Sequence, residues 1–232
     1  MSSSIGGREY KGQAIVLSRT NYGEADRIVH FLTPEGVVSA IARGVRKEKS
    51  KLRGGCEPWT LNEVSVRLGK GLGTVQSSRA QYLYEKIIYD LAAMEVAADI
   101  IKILQRVTRD HTDAYFFQVL RQVLVELEHG PNHQAVTLWA YLQIAQSMGV
   151  QLNLTHDNHG EALEVGAEYV FSSHDHAFAL SVNGGHGDIY TANHIKVLRL
   201  AAVADLSTFL KLESIECLLP LCLCYARAIL QQ

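Results

Sequence analysis

With 232 residues, 47% of them apolar, and only four prolines, the chain can bury proper cores and is expected to fold along its whole length. Its four cysteines exclude a disulfide framework, because Cys56 stands alone while Cys217, Cys222 and Cys224 crowd one apolar segment, which fits a reduced cytosolic setting. The formal net charge of −2 conceals two halves: residues 1–84 carry 13 Lys/Arg against 7 Asp/Glu, and residues 85–232 carry 9 against 17, an asymmetry that favours a polyanion at one end and a different partner at the other.

Residues 1–8 read as a loose polar tail, and MSSSIGGREY lacks the apolar stretch of a signal peptide. From Tyr10 the pattern is that of strands. Gln13–Thr20, Asp26–Thr33 and Val37–Arg43 are short and rich in Val and Ile, with turn signals at Asn21-Tyr22-Gly23 and Pro34-Glu35-Gly36 between them. Pro58–Leu68 alternates apolar and polar residues, Gly69–Gly73 breaks the pattern, and Thr74–Tyr82 resumes it. Five short strands in roughly 75 residues suggest a small closed or partly open barrel of oligonucleotide-binding (OB) size.

After Tyr84 the period becomes helical. Ile87, Ile88, Leu91, Met94, Val96, Ile100, Ile103 and Leu104 repeat at helical spacing through Thr108, and Tyr115–Leu127, Ala135–Met148, His194–Leu206 and Ile215–Leu230 read the same way. Glu168–Phe171 and Ala177–Val182 predict a small hairpin inserted among these helices. The expected fold class is therefore α+β: an N-terminal OB-type β-barrel over residues 1–84, then a mainly helical domain over 85–232 with a hairpin insertion at about 150–190. The longest apolar run, Cys217–Tyr225, is too short to span a bilayer and contains Pro220, so a soluble protein is expected.

Chemistry concentrates in Ala40–Gly55, which reads AIARGVRKEKSKLRGG. Arg43, Arg46, Lys47, Lys49, Lys51 and Arg53 stand there against one acid, Glu48, without apolar periodicity. Such a loop suits a phosphate backbone, because Lys and Arg neutralise phosphates and release counterions with little regard to sequence. Arg19, Arg27, Arg67, Lys70 and Arg79 are candidates to continue the track, and Tyr22, Trp59, Tyr82 and Tyr84 are candidate stacking platforms, with barrel or interdomain packing as the alternative for each aromatic. Glu24 and Asp26, two apart beside a turn, are expected to orient Arg27 or the turn rather than to act as an acid–base pair.

The N-terminal half resembles the RecO family of bacterial recombination mediators. The resemblance rests on Gly12–Leu17, Asn21–Val29, Ala42–Arg46, Ser50-Lys51-Leu52, Glu57-Pro58-Trp59 and Gly71–Thr74, in that order and spacing. It implies an OB domain followed by a helical domain, binding of single- and double-stranded DNA, annealing of complementary strands, and recombinase loading with RecR and the single-stranded DNA-binding protein. It implies no catalytic residues and a cytoplasmic, nucleoid-associated setting without membrane contact. The recombinase filament and the acidic, hydrophobic-ended tail of the single-stranded DNA-binding protein are further implied partners. A receptor for that tail needs cations around an apolar pocket, and Lys102, Arg106, Arg109 and Arg121 are the available ones on the first two helices. The surrounding acids make the helical half a poor DNA binder by itself and a better protein-docking surface.

The resemblance also implies a zinc site of two Cys-x2-Cys pairs, from which this chain departs. His156-Asp157-Asn158-His159-Gly160 keeps the first spacing with imidazoles, while the second pair falls at about Leu180 and Asn183. A closed four-ligand site is missing from this pattern, so no cofactor is expected and the site reads as decayed. The alternative is a His-rich metal site from His156, His159, His174 and His176, in a segment that also holds His186 and His194. Gly69–Thr74 lacks Walker spacing and reads as a hairpin turn, and the Leu-embedded cysteines read as buried structural thiols. The competing function class is a protein-interaction adaptor whose OB domain docks an acidic partner.

Overall fold

A computed structural model describes residues 4–6, 9–111, 113–130, 132–181 and 187–231. The chain forms two compact units, residues 1–130 and 131–232.

The first unit is built on strands β1 (Ser4–Gly6), β2 (Glu9–Tyr22), β3 (Asp26–Thr33), β4 (Gly36–Ala42), β5 (Thr60–Arg67) and β6 (Gly73–Leu83). The polar start is not entirely loose, since β1 pairs antiparallel with the beginning of β2. β2 is long enough to serve two neighbours: Glu9–Ile15 pairs with β5, and Ile15–Tyr22 pairs with β3. β4 pairs with β3 on one side and, in parallel, with β6 on the other, while β6 and β5 form a hairpin. The sheet thus returns on itself, as an OB fold requires, and Gly69–Gly73 is the turn of that last hairpin.

Period-two alternation decides which face is core. In β4, Gly36, Val38, Ala40 and Ala42 are buried while Val37, Ser39 and Ile41 remain half exposed. Tyr10, Ala14, Val16, Val29, Phe31, Val64, Val66 and Val75 complete the interior. The β2–β3 register skips Leu17, and this bulge releases the Leu17 carbonyl to accept from Gln105 Nε2 at 2.5 Å.

The helical run expected from Ile87 through Thr108 is two helices, α1 (Glu85–Tyr89) and α2 (Leu91–Val107). Asp90 causes the break: its backbone is extended, and its carboxylate accepts from the N–H groups of Ala92 and Ala93 at 3.0 and 3.2 Å. α3 (Tyr115–His129) completes the unit, and Glu128 returns to accept from Lys86 N at 3.0 Å.

The second unit centres on α4 (His133–Ser147), in which every residue from Ala135 to Ala145 is buried. A helix apolar on all sides must be surrounded, and α5 (Ala192–Val203), α6 (Leu206–Phe209) and α7 (Leu219–Leu230) pack around it. Its polar residues are satisfied on α5's end: Trp139 Nε1 donates to Ala204 O at 2.9 Å, and Gln143 Nε2 to Ala201 O at 2.9 Å. The inserted hairpin is β7 (Tyr169–Ser172) with β8 (Ala177–Leu180), and a third strand unforeseen from the pattern, β9 (Ile189–Tyr190), joins β7. The expectation of buried thiols among the Leu-embedded cysteines holds for Cys222 but fails for Cys217 and Cys224, which are exposed; the lone Cys56 is also buried. Cys217 precedes α7 and Cys224 lies on its outer face, opposite the buried Cys222, Tyr225 and Ala226. No described helix is long and apolar enough to cross a membrane.

Candidate nucleic-acid interface

The basic segment leaves β4 at Ala42 and re-enters the sheet at Thr60. It is not a free projection. Gly44 adopts φ +63°, a left-handed turn that glycine makes without strain, and its N–H donates to Asp26 Oδ1 at 2.7 Å. Arg46 N donates to Ala25 O at 2.9 Å, and its Nη1 to Gly23 O at 3.3 Å. Asp26 therefore serves the turn, one of the two structural roles expected of it. Val45 and Cys56 are wholly buried in the sheet's core and Leu52 packs against it, so three apolar anchors hold a segment whose remaining side chains are mostly charged. Burial pushes the Cys56 thiol up to about 11, which leaves it an inert anchor.

The far end is closed as firmly. Gly54–Cys56 forms a single 3-10 turn, and Ser78 Oγ on β6 donates to Gly55 O at 2.5 Å. A Cβ on Gly55 would lie 2.6 Å from the Ser78 carbonyl carbon, so only glycine permits this approach. Pro58 forces the preceding residue out of helical geometry, and Glu57 is extended accordingly. There its carboxylate takes both Arg19 and Arg27: Arg19 Nη1 pairs with Oε2, and Arg27 Nη1 lies 2.9 Å from Oε1. Arg19 and Arg27 face the inward parity of β2 and β3, opposite Val29 and Ala42 in register. Burial and the neighbouring Arg27 charge both oppose protonation of Arg19, and Glu57 supplies the counter-charge.

The ten basic residues expected to hold DNA thus fall into three groups. Arg43, Lys47, Lys49, Lys51 and Arg53 are exposed and make no side-chain hydrogen bond or ion pair among the described residues; Arg46 is exposed but partly engaged. Arg19 and Arg27 are locked by Glu57. Arg67 and Lys70 lie at and beyond the end of β5, with Arg67 Nη2 on Gln76 Oε1 at 3.3 Å. Registers nonetheless put Ile28, Ile41, Thr74 and Arg67 in one row across β3, β4, β6 and β5, so Arg67 shares the outer face from which Arg43 leaves. Arg79 stands opposite Glu63 in the β5–β6 ladder.

The aromatics divide too. Tyr22 is 55% and Tyr82 43% exposed, whereas Tyr84 is 1% exposed and packs edge-on against Tyr82. Trp59 is half buried at φ +53°, and its carbonyl accepts from Tyr84 N at 3.1 Å. On α2, Lys102 and Arg106 follow at positions i and i+4 on one exposed stripe, Arg109 is exposed in the turn just beyond the helix, and Arg121 is exposed on α3.

The described histidines of the inserted segment share no ligand set. Among the described residues no group of three or more His, Cys, Asp or Glu side chains is placed to hold a metal ion. Asp157 occupies the centre of the turn at 156–161, accepting from His159 N at 2.8 Å and Glu161 N at 2.9 Å. His156 meets Thr155 Oγ1 at 2.9 Å, and His174 pairs with Asp175 at 2.9 Å. His194 closes a capping box with Thr191 at the start of α5. His186 and Asn183 lie outside the described residues. What joins the hairpin to α7 is aromatic: Phe178 stacks on Tyr225 at 5.5 Å, with Phe171 and Tyr190 edge-on around them.

Pattern reasoning found the cations but missed Val45 and Leu52 as anchors and Glu57 as a lock. The only sequence sign of the anchors is two lone apolar residues, seven apart, in a charged stretch.

Comparison with a family model falls on this same half. Residues 8–84 match the family model "Recombination protein O N terminal". The DNA repair protein RecO of Heliobacterium modesticaldum is 38% identical over 114 residues, which is 49% of this chain and 42% of that protein. That of Dehalococcoides mccartyi is 30% identical over 148 residues, 63% of this chain and 58% of the relative. That of Bacillus cereus is 29% identical over 143 residues, 61% and 58% of the two chains. The chain thus spans about half the length of the curated relatives it matches. The stretch matched by the family model includes the pinned loop and the sheet that carries it, and there the chain is similar to the RecO family.

Proposed function

We propose that this chain is a non-catalytic DNA-binding protein of recombinational repair. It binds single- and double-stranded DNA at the basic loop, anneals complementary strands, and helps load recombinase together with RecR, in a cytoplasmic, nucleoid-associated setting. The observation that carries this reading is the loop, where five cations without partners among the described residues stand outward from a segment held by the buried Val45 and Cys56 and the partly buried Leu52. Cations freed of internal ion pairs are available to phosphates, and a rigid base lowers the entropy lost when they bind. The relatives named as DNA repair proteins support the same reading.

Lys102, Arg106, Arg109 and Arg121 offer a rim for an acidic, hydrophobic-ended tail such as that of the single-stranded DNA-binding protein. A second reading, the protein-docking adaptor, draws on one observation. Tyr82, Leu83, Ile88, Tyr89 and Leu91 are all exposed, Tyr89 to 87%, a concentration of apolar surface that suits a protein partner.

The test is annealing of two complementary oligonucleotides, one dye-labelled, without ATP and over a range of salt. Reversing Arg46, Lys47, Lys49 and Lys51 to Glu together should abolish a salt-sensitive annealing that the unaltered chain performs. Absence of both annealing and DNA binding at low salt would move the function to the adaptor.

A further inference from the structure

A polar cleft of about 340 Å³ lies within the first unit, between the outer face of β2–β4 and the C-terminal end of α2. Its walls among the described residues are Leu17, Ser18, His30, Val37, Ser39, Gln105, Thr108 and Arg109, with no carboxylate among them; the neighbouring acid, Asp110, is not one of these walls. Arg109 is exposed and its guanidinium makes no hydrogen bond or ion pair among the described residues. Three of the carbonyls at the end of α2, which would repel an anion, are occupied: Leu104 O accepts from Thr108 N and Oγ1, Arg106 O from Arg109 N, and Val107 O from Asp110 N and His111 N.

The neutral donors are built in. His30 Nδ1 and Ser39 Oγ share a hydrogen bond of 2.7 Å. If the serine donates, the imidazole carries its hydrogen on Nε2; if the imidazole donates, the serine hydroxyl keeps its own. Either tautomer leaves one donor of the pair uncommitted, and Ser18, opposite His30 in the β2–β3 register, adds another hydroxyl.

We propose that this cleft is an anion site, and that its anion is a phosphate of a DNA strand arriving from the basic loop, with Arg109 as the cation and His30, Ser39 and Ser18 as hydrogen-bond donors. The path is set by β4, whose outward residues Val37, Ser39 and Ile41 lead to Arg43 at the loop's start. Ser39 and Arg43 are four positions apart, roughly 13 Å along the strand direction. Ile41 and its cross-strand neighbour Ile28, both half exposed, give an apolar floor between the two cationic points on which bases can lie. The proposal rests on DNA binding at the loop and extends it.

The experiment measures binding of fluorescent dT20 as a function of salt for the full chain, for Arg109→Gln and for Arg109→Lys, with circular dichroism to verify folding. It also follows the His30 imidazole resonance by NMR, assigned with His30→Gln, on addition of dT20 or inorganic phosphate. Loss of one phosphate contact should lower the slope of log K against log salt by about 0.7 and weaken binding about fivefold at 0.1 M salt. Arg109→Lys should retain the slope, and dT20 should shift the His30 resonance. A slope unchanged in Arg109→Gln, while the loop reversal flattens it, overturns the cleft and leaves the loop standing. A His30 shift with inorganic phosphate but not with dT20 makes this a free-anion site and overturns the track. Failure of the unaltered chain to bind dT20 overturns the DNA reading and this proposal with it.

Discussion

Glu57 holds two arginines that would otherwise add to the cationic surface. Its carboxylate pairs with Arg19 and Arg27, whose guanidiniums lie close enough to repel one another. Counterion release credits only cations free to meet phosphate, so under the proposed function Glu57 limits the strength of DNA binding while fixing the loop's end to the β2–β3 hairpin. Glu57→Gln should free both arginines, steepening the salt dependence of single-strand binding by up to about 1.4 in the slope. The lost clamp should cost about 1 kcal/mol of stability, a small figure because all three side chains keep solvent contact. Anisotropy titrations with dT20 at several salt concentrations, alongside urea unfolding, measure both effects. An unchanged slope would mean the two arginines are structural whether or not they are paired. Another residue-scale effect depends on pH. Hydrogen bonds from Ser207, Thr208 and the Thr208 N–H hold the Asp205 carboxyl down to about 2, below its ordinary 3.8. A depressed folded pKa stabilises the fold above the ordinary value, and that stabilisation is lost as pH falls from about 4 to 2. The side-chain carboxyl carbon of Asp205 should accordingly titrate near 2 by NMR, and a midpoint near 4 would show that it does not cap α6.

At the scale of elements, the loop and the hairpin show how apolar contacts set the position of polar function. Val45 bears no charge, yet it is wholly buried among the sheet residues beneath the basic segment. Val45→Ala should cost about 2 kcal/mol through the cavity it leaves. It should also weaken DNA binding without altering net charge, because the flanking Arg43 and Arg46 lose their fixed base. Equal affinity in the folded variant would show that the loop's cations act by charge alone. In the second unit, Phe178 is wholly buried against Phe171, Tyr190 and Tyr225, and this cluster ties the hairpin to α7. Phe178→Ala should cost about 3–5 kcal/mol, whereas chelator dialysis of the untagged chain should leave the melting temperature unchanged; a drop with chelator would restore a metal to this segment. These elements also mark how far sequence carries. Strand positions were legible because period-two burial writes itself into Val/Ile alternation, as in β3, where Asp26–Thr33 is both expected and found. The Asp90 break between α1 and α2 was not, because apolar periodicity runs through it and only the carboxylate's capping bonds reveal it. The Glu57 lock was illegible for a similar reason: it joins residues 38 and 30 positions apart, and charge content says nothing of pairing.

For the whole molecule, the near-neutral sum of charges is a poor guide to how it meets a polyanion. What matters is the number of cations that are exposed, uncommitted and close together. In the loop these are Arg43, Lys47, Lys49, Lys51 and Arg53, with Arg46 partly spent on Gly23 O. The helical elements, by contrast, lie in the half of the chain that carries 9 Lys/Arg against 17 Asp/Glu, which discourages DNA from spreading indiscriminately over them. Five phosphate contacts on single-stranded DNA predict a slope of log K against log salt of about −3.5. Affinity should then fall about a hundredfold between 50 and 200 mM salt. The slope should depend little on base sequence, since phosphate contacts carry no sequence information. Comparing dT20 with a mixed-sequence strand of equal length over that salt range tests both statements at once. A slope near zero would mean the loop is not the binding surface. A slope much steeper than −3.5 would mean that cations beyond the loop take part, and Arg67 and Lys70, toward which the outer face extends through Ile41 and Thr74, are the next to substitute.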